Sequence, residues 1–106
     1  MSYLVVFAPE ASAQLEALFF SIADKASAAV AVRYTDAVVE TCKGLTRFPL
    51  RGVAREDVRS GLRLTHHKGR TVIAYAVSEE TRTVSIVGVF YGGQDYQSIL
   101  AGAADD

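Results

Sequence analysis

Apolar and polar positions alternate along this chain with a helical rhythm in its first half and a strand rhythm in its second. Residues 3–7, Tyr-Leu-Val-Val-Phe, form a short apolar run that stops at Pro9-Glu10 and reads as a strand. Leu15, Leu18, Phe19 and Ile22 then fall at i, i+3, i+4 and i+7, which makes one apolar face of a helix. Pro9 suits the first turn of that helix, Glu10 suits its positive end, and the helix is expected to end near Lys25. Ser27 is a good N-cap for a second helix. Val30, Tyr34, Ala37, Val38, Thr41, Leu45 and Phe48 carry the helical spacing through about residue 47. Gly44 weakens this helix by roughly 1 kcal/mol relative to alanine, and Pro49 closes it. Two amphipathic helices with a short connection predict a helical hairpin.

The second half changes period. Pro49, Gly52 and Gly61 punctuate residues 49–61 as a loop. Residues 62–67 follow as a strand with Leu62 and Leu64 on one face, and Lys68-Gly69 makes a tight turn. Residues 70–78 are apolar on both faces, as in a central strand covered on both sides, and Glu79 to Arg82 turns the chain. Residues 83–91 form another strand, stopped by Gly92-Gly93. Residues 94–101 supply a helical turn or a docking segment, residues 97–106 read as a short helical or frayed tail, and Ala103 to Asp106 fray. The order is a strand, a helical hairpin, then an antiparallel three-strand meander. That order predicts an α+β sandwich.

Length and composition fit one domain spanning 1–106, half of whose residues are hydrophobic. A chain of this size buries roughly 60–70% of its unfolded surface, enough to fold without staples. The single cysteine, Cys42, excludes an intrachain disulfide, reads as a small buried hydrophobe and suits a cytoplasmic location. No apolar run approaches the roughly 18 residues of a membrane span, and the N-terminal run lacks a basic leader. The net charge of −1 conceals an uneven distribution. Residues 43–70 carry eight basic side chains against Glu56 and Asp57, net +6, while the flanking segments are acidic. This segment is either a face for an acidic partner or nucleic acid, or a solvated loop. Arg47, Arg51, Arg55, Arg59 and Arg63 recur every four residues, but the prolines and glycines among them exclude one continuous helical stripe.

Candidate chemistry is sparse. His66 and His67 are adjacent on a strand and point to opposite faces, so they do not share a metal ion, and no metal or cofactor is expected. Nucleophile elbows and phosphate-binding glycine loops are absent. Metal-free RNA cleavage needs cationic and acid–base side chains around a phosphate. Arg63, His67, Arg70 and Tyr91 are the residues available for it. The plainer alternative is an exposed sheet edge with Arg63 paired to a helix carboxylate such as Glu40. Tyr75, flanked by alanines, reads as a core aromatic with its hydroxyl satisfied. Tyr91 and Tyr96, beside the glycines and Asp95, mark a contact surface.

The ordered pieces resemble a family. The initial strand, the helical hairpin, Phe48-Pro49, Gly52, Gly61-Leu62-Arg63, Val72-Ile73-Ala74-Tyr75 and Ile86 to Asp95 look like the RelE/ParE superfamily of type II toxins, closest to the ParE branch. The resemblance covers about residues 3–96. It implies a compact toxin sandwich with no enzymatic activity that inhibits DNA gyrase and growth. It also implies a ParD-like ribbon-helix-helix antitoxin that neutralises the toxin and through which alone operator DNA is met. Target contacts are expected at Arg63, Tyr91, Gln94, Asp95 and Tyr96. Antitoxin contacts are expected at Leu15, Leu18, Phe19, Ile22 and Tyr34. The ParE branch usually ends its last strand with a His-Gly-Arg-Arg-Asp-like turn, where this chain reads Tyr91-Gly92-Gly93-Gln94-Asp95 without either arginine. Two alternatives accompany that departure: a RelE-like ribosome-dependent mRNA endoribonuclease, and a degenerate toxin kept for antitoxin binding.

Overall fold

A computed structural model describes residues 2–104. Strand β1 (Leu4–Phe7) leads directly into helix α1 (Pro9–Lys25). Pro9 opens the helix where its missing N–H costs nothing, and Lys25 sits in the last turn against the negative end of the helix dipole. Helix α2 (Ala28–Lys43) starts where the Ser27 hydroxyl accepts the Val30 N–H at 3.1 Å. It stops earlier than its apolar spacing suggests. A 3₁₀ turn over Gly44–Thr46 tightens the chain and drops Leu45 fully into the core.

A two-residue strand, β2 (Val53–Ala54), lies inside the stretch expected to be loop and pairs antiparallel with β3 (Leu62–His67). Two residues are too few to show a period, and the surrounding glycines and prolines conceal them. Strands β4 (Thr71–Ser78) and β5 (Thr83–Tyr91) complete a five-stranded sheet of order β1-β5-β4-β3-β2. The β1–β5 pair is parallel and the rest is antiparallel. The expected meander is thus present, with a short strand added on one side and β1 on the other. The β3–β4 connection is a three-residue turn, Lys68 to Arg70, with positive φ at Lys68 (54°) and Gly69 (71°), and the Arg70 N–H bonds to the His67 carbonyl.

The sheet is covered on both faces. On one, α1, α2 and the 3₁₀ turn after it bring Ala11, Leu18, Val38, Cys42 and Leu45 against Ile73, Tyr75, Val84, Ile86 and Val89. On the other, helix α3 (Tyr96–Ala104) lays Leu100 and Tyr96 over Leu62, Leu64, Ala74 and Phe90. This second cover explains why β4 is apolar on both sides. Residues 94–101, read as a helical turn or a partner-docking segment, therefore fold mostly into α3 and pack on the chain's own sheet. Fraying was expected from Ala103, yet α3 runs through Ala104, and residues 105–106 lie outside the described range.

Candidate functional site

The basic segment disperses in three dimensions. The Arg55 guanidinium grips Asp57 through two bonds of 2.9 Å, which raises the arginine pKa and lowers that of the aspartate. Arg63 turns inward beside Gly52 and donates to the carbonyls of Leu50 (3.1 Å) and Gly52 (2.6 Å). Among the described residues no carboxylate holds it; Glu40 pairs with Lys43 instead. Tyr75 completes this corner. It is wholly buried, and its hydroxyl accepts the Gly52 N–H at 2.9 Å. A Cβ on Gly52 would stand 2.6 Å from both the Leu64 carbonyl oxygen and that hydroxyl, so the loop needs glycine there. Arg63 thus braces the 50–52 loop through its Nη1.

His67 is also withdrawn. It lies on the helix-facing side of β3 and is only 8% exposed. Its Nδ1 is 2.9 Å from the Thr41 hydroxyl, which itself donates to the Ala37 carbonyl at 3.1 Å. A hydroxyl has one proton, so Thr41 accepts from His67 and the ring carries its proton on Nδ1. Nε2 is buried with no partner among the described residues. The Tyr34 ring packs edge-on against the imidazole at 5.4 Å while its hydroxyl meets Thr71 Oγ1 at 2.7 Å. Burial, with a smaller contribution from the Lys68 charge, pushes the His67 pKa below the usual histidine value. Of the four residues expected for RNA cleavage, Arg63 and His67 are used internally, while Arg70 and Tyr91 border one cleft.

The strand end does assemble an open site. A cleft of about 220 Å³ is lined by His66, Arg70, Phe90, Tyr91, Gln94 and Tyr96, among others. Positive φ at Gly92 (69°) and Gly93 (83°) folds the chain back, and the Gln94 side chain accepts the Tyr91 N–H at 3.0 Å. The Tyr91 hydroxyl is 2.6 Å from that of Ser21 on α1, which fixes its ring. Tyr96 lies on Phe90 with ring centroids 6.2 Å apart. Asp95 does not line the cleft. Its Oδ1 accepts the Ser98 N–H at 3.3 Å and caps α3. Arg70 is exposed and also borders a second cleft of about 340 Å³ that contains Lys25 and Tyr34. Three of the expected target contacts, Tyr91, Gln94 and Tyr96, thus meet around one opening, joined by Arg70 and by His66. The strand alternation from Leu62 and Leu64 already places His66 on this face, and that was the available clue to it.

The expected antitoxin contacts fare differently. Leu18 is buried, and Leu15, Ile22 and Tyr34 pack against the same core, because the apolar stripe of α1 is consumed by the chain's own sheet. Phe19 is half-buried, edge-on to Phe20 at 5.4 Å, and it is Phe20 that stands 62% exposed. Among the described residues no cluster of histidine, cysteine and carboxylate side chains could hold a metal, and no helix is long and apolar enough to cross a membrane.

Residues 5–96 match the model of the ParE toxin of the type II toxin–antitoxin system parDE. The chain belongs to the ParE toxin family. Its fold is similar to a chain of the chromosomal ParDE toxin–antitoxin system of P. aeruginosa, with a TM-score of 0.73, 16% identity, and 85% of this chain and 96% of that one covered. It is also similar to a chain of the toxin–antitoxin complex RelBE2 of Mycobacterium tuberculosis, with a TM-score of 0.65, 27% identity, and 87% and 100% covered. No curated protein matches the sequence. As a ParE-family toxin the chain works with an antitoxin, and the RelE/ParE resemblance seen in the sequence is correct.

Proposed function

We propose that this ParE-family toxin poisons DNA gyrase by binding, with no catalytic step of its own, through the strand-end cleft of Arg70, Tyr91, Gln94 and Tyr96. On this reading a ParD-like ribbon-helix-helix antitoxin neutralises it in the cytoplasm and alone contacts operator DNA. The supporting observation is the fate of the arginine and histidine that RNA cleavage would need. Arg63 is committed to two backbone carbonyls, and His67 is buried and held neutral. The open cleft instead offers aromatic rings, an amide and the exposed cation of Arg70, which is contact chemistry. Purified toxin should inhibit gyrase supercoiling, and expression without antitoxin should arrest growth with a DNA-damage response. Supercoiling untouched by a large excess of folded toxin would sink the reading.

One observation favours the RelE-like alternative, in which the toxin cuts mRNA. His66, Arg70 and Tyr96 line the same cleft, an acid–base group beside a cation. Mapping mRNA ends after induction separates the two, since only a ribonuclease produces new cuts that His66→Ala abolishes.

A further inference from the structure

Where α1 gives way to α2, a cleft of about 340 Å³ opens on the helix side of the sheet. Its wall is Ile22, Lys25, Ala26, Tyr34, Arg70 and Tyr91. The volume falls within the roughly 300–1,000 Å³ of small-molecule sites. Four elements meet to build it. Lys25 ends α1, and Tyr34 lies two turns into α2. Arg70 belongs to the β3–β4 turn, and Tyr91 ends β5.

The side-chain polar groups of this cleft are donors. Lys25 and Arg70 are exposed, and among the described residues neither forms an ion pair. No carboxylate stands on the wall. Tyr34 adds a third donor. Thr71 is fully buried, and among the described residues the only partner of its hydroxyl is that of Tyr34, at 2.7 Å. A hydroxyl carries one proton, and a buried one is costly to leave unbonded, so Thr71 donates and Tyr34 accepts. The proton of Tyr34 is then free for a group in the cleft. The hydroxyls of Ser21 and Tyr91, 2.6 Å apart, likewise use one proton of their two on each other. Helix ends do not reverse this balance. The negative end of α1 and the positive end of α2 meet across Ala26 and Ser27, so their partial charges offset.

Two cations and a phenol proton suit an acceptor ligand with two negative charges. A carboxylate or a phosphodiester brings a single charge, whereas a phosphate monoester brings about −1.5 to −2 at pH 7. The cations share the cleft with apolar surface. Ile22, Ala26 and the rings of Tyr34 and Tyr91 supply a wall on which a planar ring can lie. Inorganic phosphate would leave that wall wet, while a mononucleotide carries both the dianion and the ring.

We propose that this cleft is a binding site for a phosphate monoester carried on an aromatic base, that is, a nucleoside 5′-monophosphate. Lys25 and Arg70 hold the phosphate, the Tyr34 hydroxyl donates to one of its oxygens, and Ile22 and the tyrosine rings cover the base. Two sources present this chemistry, a free nucleotide and the 5′-phosphorylated end of a strand. The site goes beyond the gyrase reading and does not depend on it.

The test is calorimetric titration of the purified full-length toxin. Adenosine 5′-monophosphate should bind at least tenfold more tightly than adenosine or inorganic phosphate. Lys25→Gln and Arg70→Gln, both at exposed positions, should each weaken it at least tenfold, with thermal melts confirming that they fold. Arg47→Gln removes an exposed cation beyond the other end of α2 and should leave the affinity unchanged. Tyr34→Phe keeps the ring and removes the donor, so it should weaken binding several-fold. Equal affinity for adenosine 5′-monophosphate and adenosine, or wild-type affinity in both glutamine variants at Lys25 and Arg70, overturns the site. A loss in Arg47→Gln as large as theirs also overturns it, because overall charge alone then attracts the ligand. Equal affinity for inorganic phosphate overturns the role of the ring and with it the ligand class. A trinucleotide with a 5′-phosphate separates the sources. Binding tighter than the mononucleotide supports the site with a strand end as its ligand, and weaker binding supports it with a free nucleotide. A trinucleotide with a 5′-hydroxyl that binds as well as its phosphorylated form overturns the monoester. Gyrase and antitoxin take no part in the titration, so failure here leaves the proposed target standing.

Discussion

At the residue scale, side chains that look chemical in the sequence are recruited to hold the fold. Arg63 is the clearest case. Arg63→Ala leaves the Leu50 and Gly52 carbonyls without their charged donor, a loss of about 1.5–3 kcal/mol for hydrogen bonds to a charged group. The melting temperature should fall by on the order of 10 °C, while the folded fraction keeps its affinity for target and antitoxin. An affinity loss at full stability would return Arg63 to the binding surface. His67 makes a pH prediction. Its folded pKa lies below its unfolded value, so the unfolded chain binds more protons as the pH falls. The stability contributed by neutral His67 is full above the unfolded pKa and is lost on acidification toward the folded one. A melting curve series from pH 7.5 to 5 should therefore slope downward, and His67→Phe should flatten that slope. Cys42 is fully buried and desolvation pushes its thiol up to about 12, so it should stay unmodified by thiol reagents until the protein is unfolded.

At the element scale, local rules and tertiary rules divide the work. Helix α2 begins at Ser27 by a local device, and Ser27→Ala should cost about 1 kcal/mol, measured by urea melts. Its end is tertiary. The apolar spacing runs past Lys43, but Leu45 reaches the core only after the chain has tightened into a 3₁₀ turn. Strand β2 exists because β3 offers Val53 and Ala54 an edge, and Arg63 and Tyr75 pin the loop beside it. Gly52→Ala tests that pinning. Its Cβ would press on backbone and on a buried hydroxyl, and a cost of roughly 1–3 kcal/mol is expected from overpacking.

At the scale of the whole molecule, the sheet decides what is surface. Helices α1 and α2 take one face and α3 the other, so the apolar stripe of α1 becomes core and an open cleft is left at the end of β5. Arg70 is exposed there and touches two clefts, so Arg70→Ala should lower toxicity several-fold in a growth assay without moving the melting temperature. Unchanged growth arrest by a stable Arg70→Ala toxin would remove Arg70 from the target surface.

Periodicity and capping alone determined the strand, the helical hairpin and the antiparallel strands of this toxin, because those patterns are set by neighbours in sequence. The order of its motifs also identified the family. The roles of individual polar residues were decided only in three dimensions. Arg63 and His67 share a strand face, but that face turned out to lie against α2 and the 50–52 loop, whereas His66, one residue away, opens onto the cleft. The same holds for Gln14 and Gln94, 80 positions apart in the chain, whose side chains accept the N–H groups of Val89 and Tyr91, two residues apart on β5. A hydrogen bond depends on where the partner ends up, and no local pattern contains that information.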